Sequence, residues 1–238
     1  MKLRLLCLSA ILAVTAASAA VAGPPFATDD PVPTDTGHYE IYAFAAASHI
    51  PGATGGATGF DLNYGPIKDV QLTATLPLEF ATGQPLRRGD VEFGVKLRLL
   101  HQDKQGIDLA IFPRVILPTS AGARRVDVLL PVWAERDWGK WALFGGGGYM
   151  LHGGPGNRNY WLAAAALTRQ ASKSLLLGGE FYSHGPDSIG AHRYSGINLG
   201  AILALDDHWA LLASGGPGID HGREGGQYSG YGAVRLTF

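Results

Sequence analysis

Charged and polar side chains recur at alternate positions in several segments of this chain. Between residues 90 and 100, Glu92, Lys96 and Arg98 alternate with apolar residues such as Val95 and Leu97. Neighbouring residues of an extended strand point to opposite faces, so each such segment has one charged face and one apolar face. Charges of both signs on one face can pair with each other, or they can line a polar passage for a solute.

These polar faces supply the candidate functional residues. If the apolar faces point to lipid, the polar faces of neighbouring strands surround a lumen. Two interpretations follow: a network of ion pairs that fills the interior of a small barrel, and a narrow pore lined by both signs of charge. The same side chains could serve both. The lumen-lining candidates are Glu40, Asp61, Gln71, Glu79, Glu92, Lys96, Arg98, Asp108, Arg114, Asp127, Glu135, Glu180, Tyr182 and Arg235.

Arrangements suited to catalysis are sparse. Ser183 and His184 are adjacent, so on one strand they face opposite sides and cannot form a dyad. His192, Ser195 and Asp187 form a second cluster, without a recognisable motif. The glycine-rich stretches at 145–148, 154–156 and 216–218 are not followed by helix-forming residues, so a phosphate loop is not indicated. We therefore expect no enzymatic activity, no catalytic residues, no metal and no cofactor.

The first 22 residues predict a cleaved Sec-type signal peptide. Lys2 and Arg4 precede an apolar run from residue 5 to residue 14, and small residues then lead to cleavage after Ala22, or alternatively after Ala19. The single cysteine, Cys7, lies inside this segment, so the exported chain has no thiol for a disulfide or a thiolate metal site. A formal net charge of −1 argues against nucleic acid as a partner.

Residues 23–37 predict a proline-rich leader that precedes the first strand. Its four prolines, at positions 24, 25, 31 and 33, cannot donate to a strand ladder. Asp29 and Asp30 in the leader could hold a hard cation with backbone carbonyls. Thr-Asp-Asp-Pro more commonly forms a turn whose side chains bond their own backbone, and we favour that interpretation.

Residues 38–238 predict a transmembrane, antiparallel, up-and-down β-barrel of about 12 strands, with 10 or 14 as alternatives. Short polar connections, such as 65–69 and 136–139, alternate along the chain with longer glycine-rich ones, such as 81–89 and 152–159. A glycine-rich loop containing Pro51 is expected between the first two strands. Short turns at one end and longer loops at the other are typical of bacterial outer-membrane barrels. A soluble periplasmic β-sandwich is the competing fold.

The last strand, residues 227–238, ends in Phe238 with apolar residues at every second position before it. This pattern resembles the carboxyl-terminal signature of outer-membrane barrels that the barrel assembly machinery reads. We therefore assign Phe238 as an assembly signal. The same strand should pair with residues 38–48 and close the barrel, because an open edge in lipid would leave backbone groups without partners.

The leader and the first strands also resemble a known family. The sequences GPPF at 23–26, TDDP at 28–31, EIY at 40–42, NYG at 63–65 and LPL at 76–78 are similar to those of the MetA-pathway of phenol degradation family. That resemblance implies an outer-membrane β-barrel described as transporter-like. It brings no catalytic residues and no defined substrate.

The sequence thus predicts a protein of the cell outer membrane that acts as a passive channel or uptake protein for small, aromatic or hydrophobic solutes. The alternative is a non-conducting structural or surface-binding barrel. The expected partners are outer-membrane lipid, the barrel assembly machinery and a small-molecule solute.

Overall fold

The structure, a computed structural model, describes residues 25–119, 125–220 and 226–238, which form a closed antiparallel β-barrel of twelve strands. One barrel strand consists of two short segments, β6 and β7, and a further short segment, β4, pairs with the edge of β3. The segments are β1 (Tyr39–Ile50), β2 (Ala53–Ile67), β3 (Val70–Ala81), β4 (Arg87–Arg88), β5 (Val91–Leu100), β6 (Asp108–Ile111), β7 (Arg114–Leu117), β8 (Asp127–Trp138), β9 (Trp141–Leu151), β10 (Tyr160–Gln170), β11 (Leu175–His184), β12 (Tyr194–Ala204), β13 (Trp209–Ile219) and β14 (Tyr228–Thr237).

The barrel closes where its first and last strands pair. The register between β1 and β14 runs from Glu40 opposite Thr237 to His49 opposite Tyr228. Tyr39 and Phe238 exchange two backbone hydrogen bonds at the end of this seam, with N···O distances of 2.8 and 3.1 Å. The predicted fold class, strand number and closing pair are therefore confirmed.

The two ends of the barrel differ in the length of their connections. At the short-turn end, two residues join β2 to β3 and β8 to β9, whereas at the loop end eight residues join β9 to β10. Asp206, in the turn between β12 and β13, accepts the backbone N–H groups of His208 and Trp209 at 2.8 Å each. These hydrogen bonds lower the pKa of the Asp206 carboxyl.

Burial in this barrel is the reverse of that in a water-soluble protein. The interior contains buried polar residues, among them Asn63, Gln71 and Lys96, while the outer surface exposes large apolar side chains, among them Leu76 and Phe181. Exposed apolar surface of this extent fits a hydrocarbon surrounding, because each strand of the closed barrel pairs with a neighbour on both sides. Among the described residues, no helix is long and apolar enough to cross a bilayer.

Three details of the predicted strands need correction. The loop expected around Pro51 is a two-residue turn, since proline followed by Gly52 at φ +85° suits a tight reversal, and β2 already begins at Ala53. The strand expected across residues 107–117 is divided into β6 and β7 at Pro113, which has no N–H for the ladder. The connection before it contains one helical turn, α1 (Gln102–Gln105), which ends at Gly106 with φ +80°.

Candidate functional site

The proline-rich leader lies inside the barrel. It enters at the short-turn end, where Gly37 donates its N–H to the carbonyl of Gly65 at 2.7 Å and Thr36 forms an isolated bridge with the same glycine. From there residues 25–35 extend into the lumen, and Thr28, Asp29 and Pro31 in it are among the most deeply buried residues of the protein. The leader is therefore part of the barrel interior.

A charged contact holds the leader to one wall. Asp29 accepts a hydrogen bond from Lys96 on β5 at 2.9 Å and another from Arg114 on β7 at 2.7 Å, one on each carboxylate oxygen. All three side chains are at most 4% exposed. Both cations also make cation–π contacts with Phe112: the Arg114 guanidinium lies 4.0 Å and the Lys96 ammonium 5.1 Å from the centre of its ring. Ion pairs removed from water in this way depend on all partners being present.

A second contact, on the opposite wall, has a carboxylate but no cation. Glu180 on β11 accepts the N–H groups of Ala27 and Thr28 and the Thr28 hydroxyl, all at 2.9 Å, and the Asn198 side-chain amide at 2.8 Å. Three of these four donors belong to the leader. Glu180 therefore recognises the leader backbone itself, which is possible because proline is absent at positions 27 and 28.

The Phe26 side chain occupies a socket whose floor is made of glycine. Added Cβ atoms on Gly178 of β11 and Gly200 of β12 would lie 2.9 and 2.7 Å from the Phe26 ring, so only glycine leaves enough room there. Phe144 on β9 lies beside the ring, with centroids 6.4 Å apart. Ser214 on β13 donates its hydroxyl to the Pro25 carbonyl next to the socket.

The remainder of the leader contacts β3. Gln71 accepts the Thr34 N–H at 2.8 Å and the Thr34 hydroxyl at 3.1 Å, and its amide donates to Asn63 at 2.7 Å. Asp30 makes the predicted turn bond, from the Val32 N–H at 2.8 Å. Asp29 makes no such turn bond, because its two carboxylate oxygens contact Lys96 and Arg114 instead. The interpretation of Asp29 as a turn residue is therefore wrong.

A cavity of about 580 Å³ surrounds the leader in the half of the lumen nearest the short turns. Leader residues, including Phe26, Asp29 and Thr34, form part of its lining, and the turn residues Gly139 and Lys140 lie at its end. Seven of the lumen-lining candidates also line it: Glu40, Asp61, Gln71, Lys96, Arg114, Glu135 and Arg235.

The other candidates lie around this cavity or at the rims. Glu92 accepts a hydrogen bond from Arg114 at 3.2 Å, and Arg98 pairs with Asp108 near α1. At the loop end, Glu79 pairs with Arg87 of β4 at 2.9 Å and Asp127 pairs with His152 at 2.7 Å. The structure thus joins these candidates into several local ion pairs.

Tyr182 and Glu180 belong to one chain of hydrogen bonds along the lumen wall. Beyond Glu180, Asn198 accepts the Ser229 hydroxyl at 3.0 Å, and that hydroxyl lies 3.1 Å from the Tyr182 hydroxyl. Tyr182 is near the loop end, beside Tyr194 with ring centroids 6.1 Å apart. These hydrogen bonds therefore connect the leader contact at Glu180 to aromatic residues nearer the loop end.

Phe238 lies at the seam rather than in the lumen. Its ring stacks on Tyr39 with centroids 5.4 Å apart, and Tyr39 stacks on Tyr64 at 4.4 Å. This aromatic cluster is at the short-turn end of the wall, and Phe238 remains 52% exposed. Its role as an assembly signal stays a prediction. The signal peptide, residues 1–22, lies outside the described residues.

Sequence reasoning missed the partners that the leader supplies. Phe26, Thr28 and Thr34 have no charge or motif that distinguishes them in an irregular segment. The available signal was in the wall: Gly178 and Gly200 interrupt otherwise bulky strands, and a glycine inside a strand often marks close approach by another group. Among the residues that the structure describes, no group of three or more His, Cys, Asp or Glu side chains could hold a metal ion.

Neither the comparison with protein-family models nor the comparison with curated proteins gives a match. Solved structures, however, share the fold. The COG4313 outer membrane channel from Pseudomonas putida F1 is 12% identical, with a TM-score of 0.70 over 88% of this chain and 98% of that chain. The NanC porin is 8% identical, with a TM-score of 0.56 over 83% of this chain and 98% of the porin.

The translocator domain of the autotransporter NalP from Neisseria meningitidis is a further structural match. It is 13% identical, with a TM-score of 0.52 over 86% of this chain and 89% of that domain. Identities this low show a shared fold and nothing finer. The fold, together with the apolar outer surface, agrees with the predicted outer-membrane localisation.

Proposed function

We propose that this protein is a passive outer-membrane channel, or uptake protein, for small aromatic or hydrophobic solutes. The observation that carries the proposal is the cavity of about 580 Å³ inside a closed barrel, lined by charged and polar side chains together with apolar and aromatic ones such as Phe112, Trp141 and Phe144. A cavity of this size accommodates a molecule of one or two rings. The fold shared with a channel and a porin supports the same conclusion.

The leader must move for a solute to pass. Residues 25–37, the described part of the leader, are not a strand of the wall, and within them the only bridge to the wall is at Thr36 and Gly65. Withdrawal of residues 25–34 would therefore leave the strand pairing of the barrel intact. The channel would open by displacement of the leader towards the short-turn end.

The solute class is supported by the socket of Phe26, which shows that the wall accepts an aromatic ring against Gly178 and Gly200. The resemblance of the leader and first strands to the MetA-pathway of phenol degradation family supports it as well. Under this proposal the protein is not an enzyme, and its partners are outer-membrane lipid, the barrel assembly machinery and the solute. Residues 1–22 would be removed on export, leaving a leader of residues 23–37 and a barrel of residues 38–238, which amino-terminal sequencing of the protein from outer membranes tests.

Conductance in planar lipid bilayers tests the channel. The wild-type protein should show small or intermittent conductance, and a variant lacking residues 25–34 should conduct continuously, because the lumen is cleared while the wall remains. Asp206→Ala, in a turn remote from the leader, serves as the control and should behave like wild type. Solute flux into liposomes, measured with phenol and with a sugar of similar mass, tests the preference for aromatic solutes.

A non-conducting structural or surface-binding barrel is the second candidate, and one observation favours it: leader residues fill the lumen and are deeply buried there. Absence of conductance and flux in both the wild-type protein and the leader deletion, with the barrel folded, would establish this alternative.

A further inference from the structure

The site that holds Asp29 has the construction of a carboxylate-binding site. Lys96 and Arg114 project from neighbouring strands, and each contacts a different oxygen of the Asp29 carboxylate, at 2.9 and 2.7 Å. Both cations belong to the barrel wall, whereas the anion belongs to a segment that is not part of the wall. The wall therefore carries a receptor for one carboxylate, and the leader supplies the carboxylate.

The leader supplies the carboxylates that pair with Lys96. The acids paired with Lys96 are Asp29, at 2.9 Å, and Asp30, at 3.7 Å, and both are leader residues. Arg114 also pairs with Glu92 of the wall, at 3.2 Å. Without the leader, Lys96 would line the lumen and lack both of these ion-pair partners, which an anion in the lumen could replace. An anion in the lumen can therefore compete with Asp29 for this position.

We infer that Lys96 and Arg114 form a binding site for a small solute with a carboxylate and an apolar group, and that Asp29 occupies this site as a tethered competitor. This inference rests on the proposed channel function, since the solute must reach the lumen. It names the chemical class that the channel would favour among aromatic and hydrophobic solutes.

The apolar part of the solute is indicated by the surroundings of the site. Phe112 forms one side, beneath both cations. The socket of Phe26 lies only three residues along the leader from Asp29, a span of at most about 10 Å in an extended chain. The leader thus presents a ring to the wall of β11 and β12 and a carboxylate to the wall of β5 and β7. An arylalkanoate in the lumen would place its carboxylate on the two cations and its ring against Phe112.

Isothermal titration of the purified full-length protein in detergent tests the site, with 4-phenylbutyrate as the probe and its uncharged amide, 4-phenylbutyramide, as the matched ligand. Asp29→Ala removes the competitor and should bind 4-phenylbutyrate at least tenfold more tightly than wild type. The amide should gain no comparable affinity. Asp35→Ala, which removes an exposed leader carboxylate, should match wild type.

The double variant Asp29→Ala/Lys96→Met tests the receptor itself. It should lose at least tenfold in 4-phenylbutyrate affinity relative to Asp29→Ala, because half of the cationic pair is gone. Equal affinity of Asp29→Ala for the acid and the amide, or unchanged affinity after Lys96→Met, would overturn the inference. Heat-modifiable mobility in gels reports whether each variant is folded.

A measurement on the wild-type protein needs no substitution. 4-Phenylbutyrate should accelerate hydrogen exchange of residues 25–34 by competing with Asp29, and the amide should not; unchanged exchange at saturating acid would contradict the site. Neither the binding titrations nor the hydrogen-exchange measurement depends on solute flux through the barrel. Binding without conductance would refute the channel and keep the site, whereas conductance without carboxylate binding would refute the site and keep the channel.

Discussion

The two walls that hold the leader do so by different physical means. The wall formed by β5 and β7 binds it through charge, with Lys96 and Arg114 on the two oxygens of Asp29. The wall formed by β11 and β12 binds it through shape and backbone hydrogen bonds, with glycines below Phe26 and Glu180 on two leader N–H groups.

The difference separates two requirements of a segment that fills the lumen and can be displaced from it, as we propose for the leader. The charged wall can accept a different carboxylate in place of Asp29, because a cation pair recognises the group and not the chain that carries it. The shape-selective wall demands the Phe26 ring and free amides at fixed positions, so it specifies where the leader sits. These contacts therefore allow one carboxylate to replace another at the charged wall, and they fix the position of the leader at the shape-selective wall.

The largest effect is expected from Asp29→Asn. Removing one partner of a buried ion pair costs about 3 to 5 kcal/mol, so the leader should undock or exchange its Ala27 and Thr28 amides at least about a hundredfold faster. Native-state hydrogen exchange at these amides measures the change. Asp35→Asn, at an exposed position of the same leader, is the control. Unchanged protection in Asp29→Asn would show that the charged wall does not hold the leader.

Glu180→Gln should have the next largest effect, on the other wall. Glutamine keeps one acceptor oxygen, and the Thr28 hydroxyl can rotate to accept from the new amide, so the net loss is about one hydrogen bond to a charged group, about 1.5 to 3 kcal/mol. The same amides should exchange faster than in wild type, but less so than in Asp29→Asn. Glu79→Gln, which alters an ion pair at the loop end, should leave them unchanged. A Glu180→Gln effect above that of Asp29→Asn would reverse the ranking of the two walls.

Gly200→Ala should weaken the socket by overpacking. The added Cβ would lie 2.7 Å from the Phe26 ring, and such insertions cost about 1 to 3 kcal/mol. Protease sensitivity of the leader and exchange at Ala27 report the loss. The matched variant is Gly230→Ala in β14, where the nearest atom to the new Cβ is 3.8 Å away. Equal leader protection in both variants would mean that the ring is not confined by the glycine floor.

The smallest effect is expected from salt. At about 1 M salt the Debye length is only about 3 Å, but buried pairs are screened far less than exposed ones. Leader protection in the wild-type protein should therefore change by no more than about threefold between low and high salt. Release of the leader by salt would show that water reaches the Lys96 and Arg114 site, and would remove the distinction between a dry charged wall and an exposed one.

Strand number, strand faces and closure could be predicted from the sequence because they depend on local alternation. Leu76 and Thr75 are assigned to opposite faces by a period of two, and the structure exposes Leu76 on the outside while burying Thr75 inside. The turn at Pro51 and the break at Pro113 were not predicted as they are. Both depend on how one backbone group meets its neighbour on another strand, which alternation does not encode.

The contacts of the leader were beyond sequence reasoning for a stronger reason. Asp29 and Lys96 are separated by 67 residues, and Thr28 and Glu180 by 152. No period or spacing connects residues so far apart. The positions of Lys96 and Arg114 on polar faces were predictable, but their common partner was not.

By itself, the sequence determined a chain whose alternating strands can satisfy their backbone groups in lipid only by closing into a barrel, because an open sheet edge would leave N–H and C=O groups unpaired. Only the tertiary structure decided what fills that barrel. Closure fixes twelve strands around one lumen, and the leader is held there because Asp29 pairs with Lys96 and Arg114 on one wall while Glu180 on the other accepts leader N–H groups, and buried charged groups need such partners.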